Sequence, residues 1–281
     1  MRYLVAVSGG IDSVVLLNML VTDAKHDLIV AHFDHGIRPD SAADARFVGA
    51  LARSYGLEFV TKREELGPGT SEDLARSRRY TFLREQAARQ GAVIVTAHHS
   101  DDVIETIAIN LTRGTGWKGI AALGNQDIAR PLLRLSKNDI RMYATAKHLE
   151  WTEDSTNSSD VYLRNRLRQK IGTSLSGGTK KELLEIWKRQ LELKSVIYKE
   201  EDNFIQAGEE QSRYLLITID ATTAEELLRR MIAKKAGVAC TRPQAKRALL
   251  AVKTAKPGSI FEIGSGCSLH FAIQTFAIQT S

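Results

Sequence analysis

Cysteine is almost missing from this chain: only Cys240 and Cys267 occur in 281 residues, far apart and toward the C-terminal end. They form no C-x-x-C pair, which argues against a cysteine zinc site and against a disulfide framework. Proline is nearly as scarce, with five residues. No apolar run approaches the ~20 residues that span a bilayer, and no charged-then-apolar leader precedes the first apolar segment. These absences predict a cytoplasmic protein with no membrane partner.

The chain has an ordinary apolar share, 43%, and enough length for one large domain with a small one attached. Its net charge of +6 is unevenly spread. Residues 113–189 hold 15 lysines and arginines against 8 acids, so the whole positive excess sits in the middle. Such clustering is how a nucleic-acid footprint looks in sequence; a solvated basic surface is the plain alternative.

The first half alternates short β-rich runs (Tyr3–Val7, Leu28–Phe33, Glu58–Thr61, Val93–Thr96) with amphipathic stretches (Ser13–Leu20, Ser41–Tyr55, Ser71–Gln90, Asp101–Leu111). This order predicts an α/β fold, a doubly wound and mostly parallel sheet with helices on both faces. Pro131–Leu135 reads as extended, with Ser136 capping a helix through His148. A long helix over Lys180–Phe204 then reads as a linker. After it the pattern changes to a strand at Tyr214–Ile219, two helices and three short strands, a small α+β domain. The expected division is 1–179 for a catalytic domain, 180–212 for the connecting helix and 213–281 for the small domain.

Chemistry gathers where strands should end. Ser8-Gly9-Gly10-Ile11-Asp12-Ser13 follows the first strand and opens a helix, an arrangement whose free N–H groups and dipole suit a phosphate. No Gly-Lys-Ser/Thr follows, so this is not the P-loop of kinases, and nothing in it grips a γ-phosphate for transfer. Asp12 beside phosphates makes sense with magnesium between them. An ordinary tight turn is the bland reading. Asp34, in His32-x-Asp34-His35-Gly36-x-Arg38 after the second strand, is suited to magnesium or to general-base work, or is a turn former.

Glu72, Arg76, Arg79 and Tyr80 share one helix face, either solvated or docked on RNA. His98, Asp102 and Glu105 make an acidic pocket that suits a metal or an ammonium group; helix capping explains Asp102 but not Glu105. Arg113 ends that helix, where it complements the dipole or neutralises charge on an α-phosphate.

Together with Ala75, Ala97, His99, Asp101, Thr106, Gly114, Arg130-Pro131-Leu132-Leu133, Glu153-Asp154-x-x-Asn157 and Arg164-Asn165-Arg166-x-Arg168, these motifs resemble the N-type ATP pyrophosphatase (PP-loop) superfamily. Within it they are most similar to the tRNA-isoleucine lysidine synthetases, over residues 1–172. The resemblance implies ATP and free lysine as substrates, magnesium, and a minor isoleucine tRNA with a CAU anticodon as partner. The wobble cytidine is adenylated with loss of pyrophosphate, and lysine then displaces AMP.

It further implies that Ser8, Gly9, Gly10, Ile11, Asp12 and Ser13 bind ATP, that Asp12 and Asp34 hold magnesium, and that Asp34 and Arg113 are catalytic. His98, Asp102 and Glu105 would bind lysine, and Arg76, Arg79, Arg130, Arg164, Arg166 and Arg168 would bind tRNA. A homodimer is left open. Longer members carry a further C-terminal domain for which this sequence has no room, which leaves rejection of the wrong tRNA without an assigned element. The rival within the superfamily, a tRNA thiolase, would need cysteines near the loop, and none precedes Cys240.

Overall fold

The protein is described here from a computed structural model covering residues 1–37, 41–67, 69–124, 127–152, 175–205 and 207–280. It divides into two compact units, Met1–Leu191 and Glu192–Ser281.

In the first unit β1 (Arg2–Ala6), β2 (Asp27–Asp34), β3 (Glu58–Arg63), β4 (Val93–Val95) and β5 (Ile128–Ala129) form one sheet in the order β3-β2-β1-β4-β5. Every pair is parallel. Parallel strands are covered on both sides, and the alternation of side chains shows how. Val5, Val7, Leu28, Val30 and Val95 enter one core, while Leu4, Ile29, Ala31, Phe33 and Ile94 enter the other. The first core is completed by α1 (Ile11–Asp23), α2 (Ser41–Ser54) and α6 (Lys137–Ala146); the second is completed by α3 (Glu72–Gln90). Next to the sheet, α4 (Ser100–Thr112) packs Val103 and Ile107 on Trp187 of α7 (Gly177–Phe204), and α5 (Trp117–Ile120) is a single turn.

Strand order reverses between β1 and β4. At such a switch point the connections leave in opposite directions, opening a crevice beyond the strands' carboxyl ends. The loops after β1 and β4 therefore face one another.

The second unit holds an antiparallel sheet, β6 (Glu210–Ser212), β7 (Ile260–Gly264), β8 (Cys267–Phe271) and β9 (Thr275–Thr280), in the order β6-β9-β8-β7. Its core joins Phe276, Leu269 and Phe271 to Leu228, Met231 and Leu249. These helices are α8 (Arg213–Thr218), α9 (Ala221–Ala236) and α10 (Arg242–Thr254).

Two expectations are corrected. Tyr214–Ile219 is not a strand: the Ser212 hydroxyl accepts from Leu215 N–H and caps helix α8. A short apolar run suits either period, and the cap together with burial of Leu216 selects the helix. Pro131–Leu135 is a 3-10 turn over Pro131–Arg134, because proline at its first position presets a helical φ. Ser136 does cap the next helix, in a capping box with Asp139, but that helix ends at Ala146.

Candidate active site

The loop after β1 is organised around one hydroxyl. Ser13 Oγ accepts from Ser8 N–H and Gly9 N–H, at 3.1 and 3.2 Å, and donates to the Gly10 carbonyl at 2.8 Å. Gly9 sits at φ +99°, and a Cβ there would stand 2.7 Å from Thr152 Oγ1, so the turn excludes other residues. Gly10 is the N-cap of α1 and offers no side chain to cap it; Ser13 N–H turns back to the Gly10 carbonyl at 3.0 Å, so the N–H groups of Ile11 and Asp12 are the ones a helix start leaves for a ligand.

Asp34 closes β2. It is only 4% exposed, and its oxygens accept from Gly36 N–H at 3.0 Å and from Arg63 Nη1 at 2.9 Å. Burial pushes this carboxyl up, but Gly36 N–H, the Ser41 hydroxyl and the charge of Arg63 together outweigh it, so its pKa lies below the ordinary value. Arg63 was not singled out from the sequence. It stands directly opposite Asp34 in the β2–β3 register, a pairing that only the sheet creates.

A cavity of about 460 Å³ opens at these strand ends. Ser8, Asp12 and Ser13 line one side, and Asp34 and His35 line another. From α3 come Glu72, Arg76 and Arg79; from the β4–α4 loop come His98 and Asp102. Residues from four separate segments thus meet in one space. The His98 ring is held by Thr96 Oγ1 at 2.8 Å from Nδ1. Asp102 also caps α4, accepting from His99 N–H at 2.9 Å.

Other expected residues lie elsewhere. Glu105 is buried one turn further along α4, outside the cavity lining. Arg113 is exposed at the C-terminal end of α4, about 20 Å along the axis from its start. Arg130 Nη1 donates to the carbonyls of Leu123 and Ile128, at 2.9 and 3.2 Å. Arg38, Glu153, Asp154, Asn157, Arg164, Arg166 and Arg168 lie outside the described residues. Ile11 begins α1.

Asp12 carries a partner that was not foreseen. Both its oxygens accept from Lys137 Nζ, at 2.6 and 2.7 Å. One signal for Lys137 was available, since a cation at the first position of a helix opposes the dipole and asks for a reason.

His35 stacks edge-on against Phe33, and its pKa is pushed down to about 4, by burial first and then by the charge of Arg79. Between about 4 and the ordinary 6.5 the unfolded chain takes up a proton that the folded chain refuses. Stability therefore rises with pH through this window and is lost as pH falls toward 4. Urea unfolding across the window should show that slope, and His35→Gln should flatten it; an equal slope in the variant would rule His35 out as its source.

Residues 1–175 match the PP-loop domain family. A protein of Exiguobacterium sibiricum named tRNA(Ile)-lysidine synthase is 42% identical over 175 residues, covering 60% of this chain and 42% of that protein. One of the same name from Solibacter usitatus is 38% identical over 189 residues, covering 66% and 43%. The chain spans about two fifths of the length of these curated relatives. Among solved structures, the U34-tRNA thiolase NcsA from Methanococcus maripaludis aligns with a TM-score of 0.57 at 19% identity, over 68% of this chain and 72% of that one. That likeness is one of fold. With the loop after β1 built as described and the match running through the whole parallel sheet, the chain belongs to the PP-loop domain family.

Proposed function

We propose that this protein joins free lysine to the wobble cytidine of a CAU-anticodon isoleucine tRNA, at the cost of ATP. The observation that carries the reading is the single cavity in which a diphosphate-type loop, a buried aspartate and an acidic loop converge. Proteins named tRNA(Ile)-lysidine synthase match the same part of the chain, which supports it. The base's carbonyl oxygen attacks the α-phosphate and pyrophosphate leaves on the loop after β1. The activated ring carbon then loses AMP to the lysine ε-amine, which sheds a proton. Adenylation is required because a bare base oxygen is a very poor leaving group.

Asp34 would orient the attacking base or accept a proton, and His98 and Asp102, with Glu105 behind them, would draw the lysine ammonium. Arg113 is proposed as the α-phosphate stabiliser on the strength of its motif alone, since α4 holds it at the end away from the cavity lining. Among the described residues no group of three metal-ligating side chains is gathered. Magnesium beside phosphates needs only one or two carboxylates, and Asp12 and Asp34 on the cavity wall meet that need. When bound it would neutralise phosphate charge. Arg76 and Arg79, on that same wall, would meet the RNA at the reacting base.

Residues 213–281 are proposed to bind tRNA. On α9, Arg229 pairs with Glu226 while Arg230 and Lys234 pair with Asp202. In contrast Arg242, Lys246, Arg247 and Lys253 are exposed on α10, which has no acidic residue. Exposed cations on a helix that carries no acid of its own suit a phosphate backbone. The thiolase alternative is disfavoured, because both cysteines are buried in the core of the small unit. No helix among the described residues is long and apolar enough to cross a membrane.

The test is incorporation of labelled lysine into transcripts of isoleucine and methionine tRNAs that share the CAU anticodon. ATP-dependent labelling of the isoleucine species alone, with AMP and pyrophosphate as products, is expected. ADP as the spent nucleotide would overturn the reading.

A further inference from the structure

We propose that Lys137 is the cation that holds the diphosphate on the loop after β1, supplied from another part of the chain because the loop has no lysine of its own. This rests on the pyrophosphatase reading above.

Three contacts set Lys137 in place. Helix α6 lies along α1, tied by Tyr143 Oη donating to Asn18 Oδ1 at 2.9 Å. Its first turn is fixed by the Ser136–Asp139 capping box. The backbone N–H of Lys137 donates to Asp101 Oδ2 at 2.9 Å, which binds α6 to the start of α4. The Lys137 ammonium is thereby delivered to Asp12, the second residue of α1, in the loop that lines the cavity.

The character of the pair argues for more than structure. Both side chains are about one third exposed, 35% and 31%, so neither needs the other as relief from burial. Such rim pairs contribute little to stability. An ammonium carries three donors, and Asp12 occupies two of them. A third donor, on a long flexible stem, can turn to a phosphate oxygen while the others stay engaged. A diphosphate also outweighs one carboxylate in charge, so its arrival draws the ammonium inward. Asp12, the carboxylate that shares the ammonium in that arrangement, is one of the two proposed for magnesium.

Binding of inorganic pyrophosphate to the full chain at fixed magnesium, measured by calorimetry, tests this. Lys137→Met should weaken pyrophosphate about tenfold or more, as loss of a charge-assisted contact does, and raise the KM for ATP alike. Affinity for tRNA should stay as in the parent, and Lys137→Arg should recover most of the loss. Lys137→Gln, which keeps a donor for Asp12, should show the same weakening and guards against a methionine variant that does not fold. Unchanged pyrophosphate affinity in a folded variant overturns the proposal and leaves the pyrophosphatase reading standing. A parent protein that ignores pyrophosphate and produces ADP takes both down.

Discussion

Asp34→Asn should slow pyrophosphate release by about a thousandfold while leaving tRNA affinity within twofold, the loss typical of a positioned acid–base or charge-stabilising group. Asparagine keeps the size and can still accept from Gly36 N–H, so the turn after β2 is preserved. What it removes is the charge, which Gly36 N–H, the Ser41 hydroxyl and Arg63 hold in the ionised form despite burial. Arg63 is 41% exposed and can be hydrated when its partner is neutral, so the fold should tolerate the change. Pyrophosphate release in a coupled assay and tRNA binding on filters separate the two quantities. Normal release would reduce Asp34 to a turn former, and weakened RNA binding with normal release would place it in the wrong role altogether.

Arg213→Met should destabilise the small unit by about 4 kcal/mol, the scale for removing a buried charge from its partners. The guanidinium is 7% exposed and donates to Val252, Ala272 and Ala255 carbonyls at 2.8, 2.9 and 2.9 Å. Two of those carbonyls close the C-terminal end of α10, where they have no partner within the helix. The third belongs to the turn between β8 and β9, and the group also lies over the Phe271 ring at 5.3 Å. Methionine fills much of the volume but satisfies none of the three acceptors.

All three tryptophans, Trp117, Trp151 and Trp187, lie in the first unit, so their fluorescence reports on that unit. Hydrogen exchange at Leu228 and Met231, which are fully buried in the small core, reads the second. Faster exchange there with an unshifted tryptophan transition is expected. A change below about 1 kcal/mol would make Arg213 an ordinary surface-type cation.

The strand-end chemistry was legible because it is local. Ser8–Ser13 and Asp34–Gly36 each join a strand tip to a turn, and the glycine positions and period-2 runs mark such places without reference to distant residues. The small domain was legible in outline and misread at Tyr214–Ile219, where an apolar hexamer carries no decisive period. Arg63 and Lys137 were missed for another reason. Each acquires meaning from a residue 29 or 125 positions away, and no spacing rule connects them. Glu105 shows the reverse, since i, i+3 spacing joined it to a pocket whose lining it does not enter.

By itself the sequence determined the alternation of strands and helices, the two apolar faces of each inner strand and the diphosphate-type turn, because backbone geometry and side-chain period act within a few residues. Only the tertiary structure decided which charges face one another. Strand order brings the loops after β1 and β4 together, register sets Arg63 against Asp34, and the docking of α6 on α1 delivers Lys137 to Asp12. Coulomb attraction depends on distance in space, and chain order does not contain that distance until the sheet has closed it.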